Sequence, residues 1–220
     1  MLDFAFMIDI LPQLLKAGVN TLKVSSISLI LGTVFGLTGG VLRVIGPRVI
    51  YPLLDGIVGL ARGTPIAIQI YMAYFLLPLT GIDFSLFQTC VIALLFNTTG
   101  YQIEIARAAL QSIDFGQIEA AATIGMDKWK AMRYIVVPQA AKRMIPPLTN
   151  EFTNLIKASS VLSIIAYYEL TKAGESIIQR TYNYAEGLIM IAAIYFIVIQ
   201  LLTELTKYLE KNVFNFDKPE

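Results

Sequence analysis

The sequence predicts an all-α polytopic membrane protein with five transmembrane helices and a helical loop on the cytoplasmic side. Three observations lead to this prediction. Hydrophobic residues make up 56% of the 220 residues and charged residues only 15%, several apolar stretches are long enough to cross a bilayer, and Lys and Arg concentrate in alternate loops. A water-soluble domain of this size does not need so apolar a composition, so a bilayer is the simplest solvent for the chain.

Five apolar stretches approach the roughly 20 residues needed to cross about 30 Å of hydrocarbon. They lie at 22–42, 65–79, 86–106, 146–167 and 186–208. The second is short, but apolar residues 51–61 precede it, which predicts a bent helix with its break at residues 62–65. At that break Thr64 is suited to cap the next helix and Pro65 to occupy its first turn.

The chain is expected to form a single membrane domain over residues 1–220. Residues 10–23 mix apolar side chains with Pro12, Gln13, Lys16 and Lys23, which is typical of a short helix lying at the interface. The predicted order is an outer interfacial helix at 1–21, three spans at 22–110, a cytoplasmic loop at 111–137, two spans at 138–208 and a cytoplasmic tail at 209–220.

The basic residues predict the orientation. If the loops after the first and third spans share a side with the C-terminus, that side holds eleven of the seventeen Lys and Arg residues, and the opposite side holds four. The eleven are Arg43, Arg48, Arg107, Lys128, Lys130, Arg133, Lys142, Arg143, Lys207, Lys211 and Lys218. Because cytoplasmic loops carry the excess of basic residues, the N-terminus is predicted outside and the C-terminus inside.

Composition excludes several kinds of chemistry. There is no His and a single Cys, Cys90, which excludes a disulfide framework, a His or Cys zinc site and a histidine-based catalytic triad. A net charge of +1 gives no reason to expect a nucleic-acid partner. No phosphate-binding G-x-x-x-x-G-K-[ST] motif is present either, so the chain is not predicted to be an enzyme or to hydrolyse ATP.

Small residues recur every four positions in the first span, at Ser28, Gly32, Gly36 and Gly40. They lie on one helical face and permit another backbone to approach closely. Packing within the chain is favoured over a contact between subunits, although such patterns serve both.

Polar residues interrupt the third and fourth spans, where they are costly in hydrocarbon and therefore predict a polar interior facing protein or water. One interpretation is that they only bond one another, for instance Glu104 with Arg107, or Glu151 with Asn154 or Lys157. For the group as a whole a translocation path is favoured, because apolar residues would otherwise suffice. The predicted solute contacts are Asn97, Thr98, Tyr101, Glu104, Glu151 and Asn154.

Residues 111–137 form a polar stretch too long for a simple connection. Asp114 followed by Gln117 predicts a capping box, and three alanines after Glu119 favour helix. Gly125 is predicted to end that helix in the left-handed conformation, and Asp127 to cap a second short helix toward Pro138. The pattern indicates a helix, a sharp turn and a helix.

This loop resembles a known motif. Glu119-Ala120-Ala121 with Gly125 and later Pro138 is similar to the EAA loop of the permease subunits of ABC importers. The remaining sequence is similar to the branch that transports polar amino acids, in segments that cover most of the chain in the right order. Those segments are 21–25, 62–65, 112–113, 116–117, 138–140, 146–148 and 150–151. Small departures occur at Gly100, at Ala108 and at 158–161.

The resemblance implies an ABC type I importer permease fold in the inner membrane, working by alternating access. It implies that Gln117, Glu119, Ala120, Ala121 and Gly125 form a coupling helix. The implied partners are two ATP-binding cassette subunits, a second permease copy or homologue, and an external amino-acid-binding protein. ATP and Mg would be bound by the ATPase subunit, with no cofactor in this chain.

The expected cargo is a polar amino acid, with a lean toward a basic one because Glu104 would add a second carboxylate. The alternative is an ion-coupled secondary transporter or channel that uses Glu104, Glu151 and Lys157 as a relay. The lack of a detectable inverted repeat argues against it. A membrane-bound enzyme is a third interpretation, and it lacks a nucleophile and base pair.

Overall fold

The computed structural model describes residues 2–212, and over that range it is built of helices without any strand. Short 3₁₀ segments at Arg48–Ile50, Leu77–Thr80 and Ser160–Ile165 and a π-helical segment at Met132–Val136 join or extend the α-helices. The α-helices of the described range are α1 (Phe4–Ile45), α2 (Tyr51–Gly63), α3 (Ile66–Leu76), α4 (Leu86–Gln111), α5 (Phe115–Thr123), α6 (Lys128–Ala131), α7 (Val137–Ser159), α8 (Leu170–Thr181) and α9 (Tyr184–Asn212).

Helix α1 is continuous over 42 residues. The prediction of a separate short helix at 10–23 is therefore wrong: Pro12 lies inside the helix without ending it. Leu14 and Ala17 pack against α8 and α9, so tertiary burial stabilises one continuous helix where composition favoured a separate one. At the other end of α1, Arg43 forms a two-point ion pair with Asp55 of α2, with N–O distances of 2.6 and 3.0 Å.

Helices α2 and α3 form the predicted bent pair, with an angle of 114° between them. The break lies at Thr64 and Pro65, because Pro65 has extended backbone angles (φ −61°, ψ 139°) and no N–H to continue α2. Two details of the prediction are wrong. Thr64 ends α2 by donating to Leu60 O at 2.7 Å and does not cap α3, and Pro65 precedes the first turn of α3 rather than lying in it.

The small-residue face of α1 packs against α4, as predicted for contact within the chain. A Cβ added at Gly32 would overlap the methyl of Thr98, and one at Gly36 would overlap the Cβ of Gln102. Gly40 meets Ala106 in the same way. The backbones of α1 and α4 can lie this close only because these positions lack side chains.

Helix α7 begins earlier than the sequence indicates. The chain runs from α6 through the π-helical segment into α7 without a break at Pro138, so the predicted boundary at 137/138 and the span at 146–167 are shifted. Pro138 directly follows the π-helical segment, and local π adjustments are one way in which a continuous helix tolerates a proline that lacks an N–H. The helix ends at Ser159, and a 3₁₀ segment leads to Ala166, whose φ is +60°.

The C-terminal helices, α8 and α9, agree only partly with the predicted boundaries. Helix α8 lies between the 3₁₀ segment Ser160–Ile165 and α9. Helix α9 runs to Asn212, so residues 209–212 belong to it and not to a separate tail, while residues 213–220 lie outside the described range. By length and mean hydropathy α1 and α9 can each cross a membrane, and the bent α2–α3 pair adds a third candidate. Helices α4 and α7 do not meet this test, because both carry polar runs.

Candidate functional site

A cavity of about 360 Å³ lies where the bend between α2 and α3 meets α4 and α7. Side chains spaced three, four or seven residues apart share one face of a helix, so α4 and α7 each present a row of residues to it. The cavity is lined by Thr64, Pro65, Ile66, Asn97, Tyr101, Glu151, Asn154, Leu155 and Ala158. Four of the six predicted solute contacts are thus brought together on its wall: Asn97, Tyr101, Glu151 and Asn154.

An amide network fixes the bend beside the cavity. The Gln69 side-chain amide donates to Ala61 O at 2.9 Å, to Thr64 O at 3.0 Å and to Thr64 Oγ1 at 2.9 Å. Gln69 Oε1 accepts from the Asn97 amide at 3.0 Å. The sequence analysis missed Gln69, although a lone amide in an apolar helix is a signal that it bonds to another part of the protein.

Glu151 is the buried carboxylate of the cavity, with 7% of its surface exposed. Its Oε1 accepts from the Thr98 hydroxyl at 3.1 Å, so it bonds to α4 and not to Asn154 or Lys157 on its own helix. The Thr98 oxygen accepts in turn from the Gln102 amide at 3.3 Å. Thr98 is fully buried and does not line the cavity, so it contacts Glu151 instead of the cavity space.

The start of α3 also faces the cavity, through Pro65 and Ile66. Within the described part of the chain, no side chain caps this helix start. The first amide groups of a helix carry a partial positive charge and bind carboxylates well. The cavity therefore combines a carboxylate on one wall with an anion-binding helix start on another.

Glu104 lies outside this cavity. Its carboxylate pairs with Arg107 at 2.5 and 2.9 Å, and Arg62 approaches it at 3.8 Å. The interpretation that Glu104 bonds locally to Arg107 is thus correct in geometry. Arg62 also lies over the ring of Tyr101, with 5.8 Å from its central carbon to the ring centroid.

The loop after α4 has the predicted helix-turn-helix form. Asp114 caps α5 by accepting from Gly116 N at 2.7 Å, but the predicted capping box is not formed, because Gln117 donates its backbone N–H to the backbone oxygen of Asp114. Helix α5 ends at Thr123, and Gly125 two residues later takes the expected left-handed conformation, with φ +81°. Gly125 N donates to Ala122 O and Met126 N to Ala121 O, and this bond pair defines the Schellman motif.

Asp127 begins the second helix of this loop, as predicted. Its carboxylate accepts from Lys130 N at 2.9 Å, and that bond holds the pKa of Asp127 below its ordinary value. Gln117, Glu119 and Ala120 are exposed, whereas Ala121 is only 1% exposed and therefore faces the chain's own interior. The loop also exposes three large apolar side chains, those of Phe115, Ile124 and Trp129.

Comparison with known proteins decides the family. Residues 32–215 match the model of the binding-protein-dependent transport system inner membrane component. The chain belongs to this family. The resemblance to ABC importer permeases and the predicted fold are therefore confirmed, and the ion-coupled transporter is set aside.

Individual relatives cover almost the whole chain. The arginine transport system permease protein ArtQ of Bacillus subtilis is 33% identical, over 96% of this chain and 97% of its own. The glutamine transport system permease protein GlnP of Escherichia coli K12 is 32% identical over the same shares. A crystal structure of an amino acid ABC transporter with histidines contains a chain that is 33% identical, with a TM-score of 0.90 over 97% of this chain and 100% of that one.

Proposed function

We propose that this chain is the permease subunit of an ATP-driven importer and that the cavity beside Glu151 binds a polar α-amino acid during transport. The observation that carries the proposal is the placement of a buried carboxylate and an uncapped helix start on walls of one cavity. An α-amino acid offers an ammonium and a carboxylate, which require these two partners. Relatives named for glutamine and arginine transport support the same class of solute.

The roles follow from the chemistry of the lining residues. Glu151 accepts from the solute ammonium, and the first amides of α3 at Ile66 donate to its carboxylate. The solute side chain is then hydrogen-bonded by Asn97, Tyr101 and Asn154, since amide and phenol groups both donate and accept hydrogen bonds. A cavity of about 360 Å³ is at the lower end of the usual size of small-molecule sites, which suits a single amino acid.

The charge of the solute side chain follows from Glu104. The sequence analysis favoured a basic amino acid because it took Glu104 to be a second free carboxylate. In the structure, however, Glu104 is paired with Arg107 and lies close to Arg62. One carboxylate on the cavity wall suits one ammonium. We therefore favour a polar amino acid with an uncharged side chain over lysine or arginine.

The partners belong to the same proposal. Two ATP-binding cassette subunits bind the cytoplasmic loops of two permease copies, or of this chain and a homologue, and hold the ATP and Mg. The exposed apolar side chains of the α5–α6 loop, Phe115, Ile124 and Trp129, support a protein contact there. An external binding protein delivers the solute, and the N-terminus lies outside, in keeping with the distribution of basic residues.

Ligand-shift thermal melting of the purified complex with its ATPase, against each of the twenty amino acids, tests the solute. We expect the largest shifts from polar uncharged amino acids. Glu151→Gln should reduce the shift and raise the KM of uptake about tenfold, because it removes a charge-assisted bond. Equal melting with and without every amino acid, together with unchanged uptake in Glu151→Gln, would remove the cavity from the transport path.

A second measurement tests the energy source. Uptake into proteoliposomes should need ATP and the ATPase subunit and should survive collapse of ion gradients. Uptake that instead follows the ion gradient would contradict the proposal.

A further inference from the structure

We propose that Thr98 and Gln102, which do not line the cavity, are positioning residues that hold the Glu151 carboxylate in the orientation that receives the solute. This inference rests on the proposed function of the cavity. It changes the role predicted for Thr98 from a solute contact to a residue that acts through Glu151, and it adds Gln102, which the sequence analysis left without a role.

The hydrogen bonds have a fixed direction. A hydroxyl carries one hydrogen, and Thr98 Oγ1 uses it toward Glu151 Oε1 at 3.1 Å. The same oxygen accepts from Gln102 Nε2 at 3.3 Å. The chain of bonds therefore runs from Gln102 through Thr98 and ends on Glu151 as an acceptor.

The rotamer of Thr98 is fixed by packing as well as by bonding. Its methyl lies where a Cβ at Gly32 would be, and the Gln102 Cβ lies one helical turn further on, where a Cβ at Gly36 would be. Both side chains are fully buried. The glycine face of α1 thus packs closely against these two residues of α4, and packing of this kind limits side-chain rotation.

The arrangement leaves the second carboxylate oxygen for the solute. Over residues 2–212 Glu151 Oε2 accepts no hydrogen bond, while Oε1 is held by Thr98. Glu151 itself lines the cavity. Holding one oxygen fixes the direction of the other, and a binding group held in place before the solute arrives loses less conformational entropy on binding.

Two substitutions at Thr98 separate bonding from packing. Thr98→Val keeps a methyl against Gly32 and removes the hydroxyl, whereas Thr98→Ser keeps the hydroxyl and removes the methyl. With the full transporter in proteoliposomes and the amino acid of highest wild-type uptake, we expect Thr98→Val to raise the KM about tenfold and Thr98→Ser by less than about threefold. The maximal rate at saturating solute should change little in either variant.

Gln102→Met tests the next bond with a side chain of similar shape. We expect an increase in KM of about threefold, because the bond to Glu151 stays and only its support is lost. The melting temperature should be equal or higher, since the substitution removes Gln102 Oε1, a buried acceptor without a partner within residues 2–212, and Thr98 keeps its bond to Glu151.

A double substitution shows whether the effect passes through Glu151. In a Glu151→Gln background Thr98→Val should raise the KM by about threefold or less, because a neutral acceptor bonds more weakly than a carboxylate. The inference is overturned if the effects of the two substitutions on the KM are fully additive, or if Thr98→Val alone has the wild-type KM. In either case the proposed function still stands, provided that Glu151→Gln alone raises the KM. If Glu151→Gln has no effect, or if the wild type takes up none of the twenty amino acids, the proposed function fails and this inference fails with it.

Discussion

The cavity is held by side chains far apart in sequence, whereas the α5–α6 loop is held by bonds between near neighbours. Gln69 and Asn97 are 28 residues apart, and Thr98 and Glu151 are 53 apart. In the loop, Asp114 bonds two residues ahead and Asp127 three. A site built from several helices changes when those helices move, while a locally bonded loop keeps its shape. Under the proposed function, this difference suits the cavity to release solute and the loop to transmit force to the ATPase subunit.

The largest effect is expected where the loop's local geometry is broken. Gly125→Val places a β-branched residue at φ +81°, a backbone conformation that is strongly unfavourable in free energy for such residues. We expect loss of uptake and of solute-stimulated ATP hydrolysis, while membrane insertion and solute binding to the cavity remain. Uptake assays together with ligand-shift melting on the same preparation measure both properties.

Gly81→Val is the matched control for this substitution. Gly81 also has a positive φ, of +77°, and like Gly125 it has no described atom within 4 Å of an added Cβ. It lies between α3 and α4, on the side opposite the loop in the predicted orientation. Equal loss of ATPase coupling in both variants would mean that backbone strain alone is responsible, and the role of the loop would be refuted.

The next effect is expected where the distant contacts are broken. Gly36→Val would push α1 away from Gln102 on α4, and overpacking of this kind typically destabilises by about 1–3 kcal/mol. Thermal melting should show this loss, while hydrogen exchange over residues 115–130 should show the loop unchanged. Gly18→Val on the same helix has open space around it and should melt close to the wild type.

A smaller effect should follow loosening of the bend. Gln69→Met removes the amide that joins Ala61, Thr64 and Asn97 while keeping a side chain of similar length. We expect a severalfold rise in the KM of uptake, because the start of α3 is held less firmly. A KM that stays at the wild-type value would show that the helix start does not contact the solute.

The smallest effect is expected at Glu104. Because its carboxylate already pairs with Arg107, Glu104→Gln should change the KM for an uncharged amino acid by less than about twofold. A selective loss of lysine or arginine uptake in this variant would restore Glu104 as a solute contact and would favour a basic cargo.

The parts that the sequence predicted well are those with local causes. The turn at Gly125, the cap at Asp127 and the bend at residues 62–65 depend on residues a few positions apart. The continuity of α1 through Pro12 was missed because it depends on burial of Leu14 and Ala17 against α8 and α9. Likewise the polar face of α4 predicted a cavity, but only the contact with α7 shows that Thr98 bonds to Glu151 and not to the solute.

The length of α1 has a mechanical consequence. At 1.5 Å per residue its 42 residues extend about 63 Å, about twice the hydrocarbon thickness of a bilayer. If a helix of this length tilts as one body by about 10° around its middle, each end moves by roughly 5 Å. One end packs on α8 and α9 and the other is bound to α2 through Arg43 and Asp55. A displacement of α8 and α9 can therefore reach α2 along one continuous helix.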